Sequence, residues 1–154
     1  MEIRRAETRD IPAINRLLEQ VLMVHHIGRP DLFKNGGRKY NDEQLAALLT
    51  DDARPIFVYD DGGVVGYAFC IFQEHPHDNV LTPIRTLYID DLCVDEACRG
   101  QHIGTALYAH VKQFAKDSGC YNLTLNVWTC NPPAMAFYEA QGLKPQKIGM
   151  EAIL

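Results

Sequence analysis

The stretch Asp91-Leu-Cys-Val-Asp-Glu-Ala-Cys-Arg-Gly-Gln-His-Ile-Gly-Thr-Ala-Leu107 joins an apolar strand to an amphipathic helix through a turn at Arg99-Gly100. Ile103, Leu107 and Val111 recur at helical spacing and predict one buried helix face. A helix that begins after a glycine-bearing turn presents several unpaired backbone N–H groups at one point, and its dipole adds positive potential there. The stretch therefore predicts a site for a phosphate or pyrophosphate group.

The composition is typical of one globular domain, which we expect to span residues 1–154, with 47% hydrophobic and 23% charged residues. No apolar run reaches the roughly 18–20 residues that span a bilayer, so no membrane association is expected. The charged start Met1-Glu-Ile-Arg-Arg5 lacks an apolar signal core, which predicts a cytoplasmic protein. The formal net charge of −5 argues against nucleic-acid binding, because a phosphate backbone requires a basic surface.

Neither the cysteines nor the histidines have a spacing that favours catalysis or metal binding. The five cysteines are Cys70, Cys93, Cys98, Cys120 and Cys130. They contain no Cys-x-x-Cys pair and predict reduced thiols, most of them in the core. The pairs His25-His26 and His75-Pro-His77 favour structural or substrate-lining roles, so no metal site is expected.

Hydrophobic periodicity predicts an α/β domain with the order strand, two helices, three strands, helix, strand, helix and one or two closing strands. The predicted strands are 2–6, 55–59, 64–73, 84–94, 121–128 and segments within 143–154, and the helices begin near Thr8, at Glu43, after Gly100 and at Asn131-Pro132. Gly66 inside a strand indicates a bulge or a close contact. Asp90 and Asp91 occupy adjacent positions of a central strand, so we expect them to point to opposite faces.

Two motifs then point to a known family. The segments Arg99-Gly-Gln-His-Ile-Gly104 and Asn131-Pro-Pro-Ala-Met-Ala-Phe-Tyr-Glu-Ala-Gln-Gly142, each following a strand, resemble the GCN5-related N-acetyltransferase (GNAT) superfamily over essentially the whole chain. The resemblance implies a mixed central sheet with helices on both faces and a splay between the two central parallel strands. His102 stands where the family has its first loop glycine. A non-glycine residue can serve there if its φ is negative and only its N–H is used, and we expect His102 to cap the helix or face solvent.

The resemblance also implies acetyl-coenzyme A as the acetyl donor and says which residues hold it. The loop amides of Arg99, Gly100, Gln101, His102, Ile103, Gly104 and Thr105 are expected to bind the pyrophosphate. The backbone of Leu92, Cys93 and Val94 is expected to pair with the pantetheine arm as an added strand would. Asn131 is expected to hold the cofactor near its amides, with Tyr138 near the thioester sulfur.

Acetyl transfer to an amine needs a neutral nitrogen, a polarised thioester carbonyl and a proton for the leaving thiolate. The resemblance gives Tyr138 the acid role and the N–H of Val94, or a neighbour, the polarising role. The alternative for Tyr138 is a core aromatic beside Phe137. Asp90 falls at the base or amine-binding position of some family members. It can equally form a structural ion pair with an arginine or lysine, and Glu74 or a water-relayed base are the other candidates.

The function implied is transfer of an acetyl group to a primary amine of a small molecule, amino acid, peptide or protein by direct attack on the thioester. His25, Arg29, Phe33 and Tyr40 lie in the segment that usually forms the acceptor wall. The alternative is a non-catalytic acyl-CoA-binding or regulatory module. A different nucleotide-binding domain is disfavoured by the absence of a Walker lysine and of a full Gly-x-Gly-x-x-Gly fingerprint. Dimerisation is common in the family, although no sequence feature specifies it.

Overall fold

The computed structural model describes residues 1–154 as five strands and four α-helices. The strands are β1 (Glu2–Arg5), β2 (Ile56–Asp60), β3 (Val64–Glu74), β4 (Arg85–Val94) and β5 (Asn122–Leu125), and the helices are α1 (Ile11–Gly28), α2 (Asp42–Leu49), α3 (Ile103–Asp117) and α4 (Pro132–Ala140). The predicted order is confirmed up to the last helix. The prediction of closing strands is wrong, because residues 143–154 form neither helix nor strand. None of the helices combines the length and apolarity that crossing a membrane requires.

The strands form one mixed sheet in the order β1-β2-β3-β4-β5. All neighbours are antiparallel except β4 and β5, which are parallel and joined by the crossover helix α3. Helices α1 and α2 cover one face through side chains such as Ile14 and Leu45. Helix α3 covers the other face through Tyr108 and Val111. The predicted fold class, a mixed sheet with helices on both faces, is therefore confirmed.

A buried ion pair determines how the chain enters α1. Asp10 is 5% exposed and accepts two hydrogen bonds from Arg4, at 2.8 and 3.0 Å. The same carboxylate accepts from the backbone N–H of Glu7 at 2.8 Å, so a 3-10 turn over Thr8–Asp10 precedes the helix. The guanidinium of Arg4 holds the pKa of Asp10 below its usual value. The α-helix therefore begins at Ile11 rather than near Thr8, after a turn in which Asp10 is bound to Arg4 of β1.

Gly66 allows α3 to pack directly on the sheet. A Cβ atom at this position would lie 3.0 Å from the Cδ1 atom of Leu107 and 3.1 Å from the backbone oxygen of Cys93. Real Cβ atoms rarely approach a backbone oxygen so closely, and the backbone of a central strand has little freedom to move. The close contact predicted at Gly66 is confirmed.

We expect Gly66→Ala to lower the free energy of unfolding by about 1–3 kcal/mol, because the added methyl group overpacks the interface between α3 and β3. Urea denaturation monitored by circular dichroism measures this change. Gly149→Ala is the control, since no atom lies within 4 Å of its Cβ position and its φ is not left-handed. Equal stability of Gly66→Ala and the wild-type protein would contradict the packing argument.

Strand β4 contains one residue that has no partner in β3. Cys70 is paired with Ile89, and Phe69 is paired with Asp91, so Asp90 is the extra residue of a β-bulge. The side chain of Ile89 packs in the α3-side core, whereas those of Asp90 and Asp91 bond to tyrosines of the α1-side core. The prediction that the two aspartates point to opposite faces is therefore wrong, because the bulge interrupts the alternation.

Candidate functional site

The sheet opens between its two parallel strands where the bulge begins. The last pair between β4 and β5 is Ile89 with Leu125, although β4 continues to Val94. The edge of β4 that faces β5 is therefore unpaired along Leu92, Cys93 and Val94, the residues predicted to pair with an extended ligand arm. Unpaired strand edges bind extended groups by adding them as a further strand.

A groove, here called the β4–β5 groove, follows this opening and brings together most of the predicted site residues. Its lining includes Leu92, Cys93, Val94, Arg99, Gly100, His102, Ile103, Gly104, Thr105, Asn131 and Tyr138, together with Asp90 and Asp91. Gln101 belongs to the same loop without lining the groove. Residues from β4, from the turn before α3 and from α4 therefore meet around one space, as the sequence predicts.

Seven consecutive backbone N–H groups, those of residues 99 to 105, donate to no backbone acceptor in the protein. They include the first amides of α3, where the helix dipole places its positive end. Gly100 has a φ of +82° and allows the chain to turn into the helix. Free N–H groups converging at a helix N-terminus are suited to a phosphate or pyrophosphate.

His102 has a φ of +62° and is the only non-glycine residue of the chain in the left-handed region. The condition of a negative φ is therefore not met. The turn into α3 requires a left-handed residue at this point, and a side chain there costs about 1–2 kcal/mol. The side chain of His102 is exposed and makes no capping hydrogen bond. Of the two predicted alternatives, it therefore faces solvent and does not cap the helix.

Helix α4 supplies the second half of the groove. Its N-cap is Asn131, whose side chain accepts a hydrogen bond from the N–H of Ala134 at 3.3 Å, and Pro132 takes the first helical position as predicted. Tyr138 is half-buried against Phe137, with ring centroids 5.1 Å apart. Burial, followed by the nearby charge of Asp91, raises the pKa of Tyr138 above its ordinary value. Its phenol is therefore protonated at neutral pH.

The two aspartates of the bulge are held by different partners. Asp90 accepts a hydrogen bond from the Tyr40 hydroxyl at 2.8 Å and forms an ion pair with Lys39 at 2.9 Å. Asp91 accepts from the Tyr67 hydroxyl at 2.8 Å. Burial raises the pKa of Asp91 to about 6, although the Tyr67 hydrogen bond and the charge of Lys39 oppose the shift. The lysine pair considered for Asp90 is thus present, and Asp90 still lines the groove.

Glu74, one of the candidate bases, does not belong to this site. It lies at the end of β3, forms an ion pair with Arg85 at 2.8 Å and lines a separate small depression. Arg85 also donates to the backbone oxygen of Ser118. The candidacy of Glu74 as a general base is therefore wrong for this arrangement, because its carboxylate does not line the groove that contains Tyr138.

An aromatic wall bounds the groove on the side of α1. The ring of Phe33 lies 4.9 Å from that of His25 and 5.1 Å from that of Trp128, measured between centroids. Burial, with the charge of Lys39, lowers the pKa of His25, so this imidazole is neutral at pH 7. Tyr40 does not line the groove as predicted. Its ring stacks on Phe69 with centroids 5.5 Å apart, and its hydroxyl donates to Asp90.

Arg29, the remaining predicted wall residue, also lines the groove. Its guanidinium is engaged by Asp31 at 2.8 Å and by Glu151 of the C-terminal segment. Three residues that sequence reasoning missed complete the site, namely Lys39, Tyr67 and Trp128. Tyr67 is paired across the sheet with Cys93, so only the strand register brings it to Asp91. Lys39 lies in an irregular segment, where no periodic signal exists.

The prediction that most cysteines lie in the core is wrong, because only Cys70 and Cys93 are buried and the other three are partly exposed. Burial raises the pKa of both Cys70 and Cys93 to about 12, so these thiols are protonated and poor nucleophiles at neutral pH. All five cysteines are free. No group of three or more histidine, cysteine, aspartate or glutamate residues is placed to hold a metal ion.

A sequence model of the acetyltransferase (GNAT) family matches residues 21–143 of the chain. This range contains the unpaired edge of β4, the loop before α3 and helix α4. The chain therefore belongs to the GNAT family of acetyltransferases.

Individual relatives agree with this assignment. The chain is 29% identical to a thialysine N-epsilon-acetyltransferase from Bos taurus over 134 residues, which cover 87% of this chain and 72% of the relative. It is 27% identical to glucosamine 6-phosphate N-acetyltransferase 1 from Oryza sativa subsp. japonica, over 70% of this chain and 62% of the relative. The crystal structure of a mutant protein from Bacillus halodurans superposes with a TM-score of 0.95 at 29% identity, covering 100% of this chain and 99% of that one.

We expect Asp91→Asn to stabilise the protein at pH 7 by about 1–3 kcal/mol, since each pKa unit corresponds to about 1.4 kcal/mol. The carboxyl pKa is raised from 3.8 to about 6 on folding. The free energy of unfolding therefore falls as the pH rises between these two pKa values. An uncharged amide at this position still accepts a hydrogen bond from Tyr67 and avoids this loss of stability. Thermal unfolding at pH 4 and pH 7 measures the difference, which should nearly vanish at pH 4.

The matched control is Asp52→Asn, because the side chain of Asp52 is fully exposed. We expect that substitution to change stability by less than about 0.5 kcal/mol at either pH. If Asp91→Asn shows the same pH dependence as the wild-type protein, the Asp91 carboxyl does not titrate near pH 6.

Proposed function

We propose that the chain is an acetyl-CoA-dependent N-acetyltransferase that moves an acetyl group to a primary amine by direct attack on the thioester. The observation that carries this proposal is the run of seven unpaired N–H groups at residues 99 to 105, at one end of an open strand edge. A pyrophosphate joined to an extended arm matches both features. The bound donor supplies an activated acetyl group, and side chains of the protein carry out the remaining chemistry.

The donor is held by backbone rather than by charged side chains. The amides of residues 99 to 105 bind the pyrophosphate, and the edge of β4 at Leu92, Cys93 and Val94 pairs with the pantetheine arm. The N–H of Val94, or of a neighbour, polarises the thioester carbonyl. The amide group of Asn131, whose oxygen caps α4, keeps its N–H atoms free for the arm.

The reaction forms a carbon–nitrogen bond and breaks the carbon–sulfur bond. Tyr138 gives its proton to the leaving thiolate, a role that its raised pKa and half-buried position support. Asp90, directly or through water, accepts the proton that the amine loses. The carboxylates of Asp90 and Asp91 also attract a protonated amine to the groove. The relatives act on thialysine and glucosamine 6-phosphate, which supports a primary amine as the acceptor here.

We expect Tyr138→Phe to lower kcat by about 100-fold, because the thiolate then leaves without a proton donor, while the KM for acetyl-CoA changes little. Thiol release from acetyl-CoA with a panel of primary amines measures both constants. Tyr121→Phe is the control, since Tyr121 is 77% exposed and does not line the groove. An unchanged kcat in Tyr138→Phe would remove Tyr138 from the mechanism. Acetyl-CoA binding without turnover across the panel would favour the non-catalytic acyl-CoA-binding module.

We expect Asp90→Asn to lower kcat/KM for the amine by about 10–100-fold, because the base is lost. Steady-state kinetics at saturating acetyl-CoA with a panel of primary amines test this. Asp61→Asn, at a side chain 61% exposed, serves as the control. If Asp90→Asn leaves both kcat and the amine KM unchanged, Asp90 only pairs with Lys39 and Tyr40.

A further inference from the structure

The side chain of Lys39 lines the β4–β5 groove, and its ammonium group pairs with the carboxylate that the proposed reaction uses as its base. The Nζ atom of Lys39 lies 2.9 Å from Oδ1 of Asp90. The other carboxylate oxygen, Oδ2, accepts a hydrogen bond from the Tyr40 hydroxyl at 2.8 Å. Each oxygen of Asp90 therefore already has a partner from the segment between α1 and α2.

The two partners of Asp90 are held to different degrees. The ring of Tyr40 stacks on Phe69 with centroids 5.5 Å apart and packs against the α1-side core. The side chain of Lys39 is 45% exposed, and Asp90 is the only residue with which it forms an ion pair or a hydrogen bond. The segment that carries Lys39 is neither helix nor strand. Tyr40 is therefore a fixed partner, whereas the Lys39 ammonium can leave without disturbing the core.

Lys39 presents to Asp90 the same chemical group that a primary amine presents. The end of a lysine side chain is a primary ammonium on a flexible chain of methylene groups, equivalent to a protonated alkylamine. A carboxylate oxygen can accept more than one hydrogen bond, but two ammonium groups on one oxygen repel each other. An acceptor amine therefore pairs with Oδ1 of Asp90 in place of Lys39 rather than beside it.

We propose that Lys39 is an internal competitor of the acceptor: its ammonium occupies Asp90 in the free protein, and the acceptor amine binds by displacing it. The inference rests on the proposed function, in which Asp90 receives the proton of the amine. Lys39 lowers the apparent affinity for primary amines, because only the fraction of molecules in which Asp90 is unpaired can bind. Displacement exchanges one ammonium for another, so Asp90 keeps a positive charge beside it.

Calorimetric titration of n-butylamine into the CoA-saturated protein tests the displacement without requiring turnover. We expect Lys39→Met to bind n-butylamine about 3–10-fold more tightly than the wild-type protein, since methionine fills similar space without a competing charge. Lys39→Arg keeps a competing cation and should bind no more tightly than the wild-type protein. Lys34→Met is the matched control, because it removes the same charge from an exposed position in the same segment.

Tighter binding by Lys39→Met alone supports the competition. An affinity that is unchanged or weaker in Lys39→Met, no binding by any variant, or equal tightening in Lys34→Met would each overturn it. A merely structural role for Lys39 predicts the opposite sign, because loss of the ion pair would leave Asp90 less well placed and would weaken binding of the amine.

Steady-state kinetics with the panel of primary amines separate this inference from the proposed function. If acetyl transfer occurs, Lys39→Met should lower the amine KM by a similar factor and change kcat by less than about twofold. Turnover with an unchanged amine KM would refute the role of Lys39 and leave the proposed function intact. Tighter n-butylamine binding by Lys39→Met without turnover would refute the proposed function and leave the competition at Asp90 intact.

Discussion

The β-bulge in β4 determines the geometry of the site. Its extra residue interrupts the regular pairing of the strand and the alternation of its side chains between the two faces. Asp90 has no partner in β3, and the strand bends at this point. Pairing with β5 ends one residue earlier, at Ile89. The same bulge turns Asp90 and Asp91 to one face. A single local irregularity thus opens the sheet for an extended ligand and places two carboxylates beside the opening.

The β4–β5 groove has opposite polarity at its two ends. At the N-terminus of α3, unpaired amides, the helix dipole and Arg99 create positive potential. In β4, two carboxylates face the groove, and Lys39 forms an ion pair with Asp90. Tyr138 lines the same groove, with a pKa raised by burial and by Asp91. This order matches a donor with an anionic end and an acceptor that carries an amine.

The sheet ends in an unfinished edge beside this groove. β5 is four residues long, and α4, which follows it, buries no side chain fully. Edge strands of globular proteins are normally covered, shortened or blocked by charge. Here the strand is short, and the apolar side chains of Leu123, Leu125 and Phe137 beside it stay partly exposed.

Local signals explain which site residues the sequence could predict. Free amides at a helix start depend only on the turn and on the following helix, so the loop at residues 99 to 105 was predictable. The same holds for Asn131 and Pro132 at the start of α4. The φ of His102 was not predictable, because it depends on the path of the chain rather than on the identity of the side chain. The alternation rule failed at Asp90 because a bulge leaves no mark in the periodicity of an apolar strand.

By itself, the sequence determined the order of elements up to α4 and the run of free amides before α3, since each follows from periodicity or from the chemistry of helix starts. The tertiary structure decided which polar groups meet. In the folded chain, Asp90 pairs with Lys39 and Tyr40, and Asp91 accepts a hydrogen bond from Tyr67. Glu74 pairs with Arg85 and lies outside the groove. These contacts join residues far apart in the chain, and they depend on strand register and loop path. Neither quantity is encoded in a local pattern of residues.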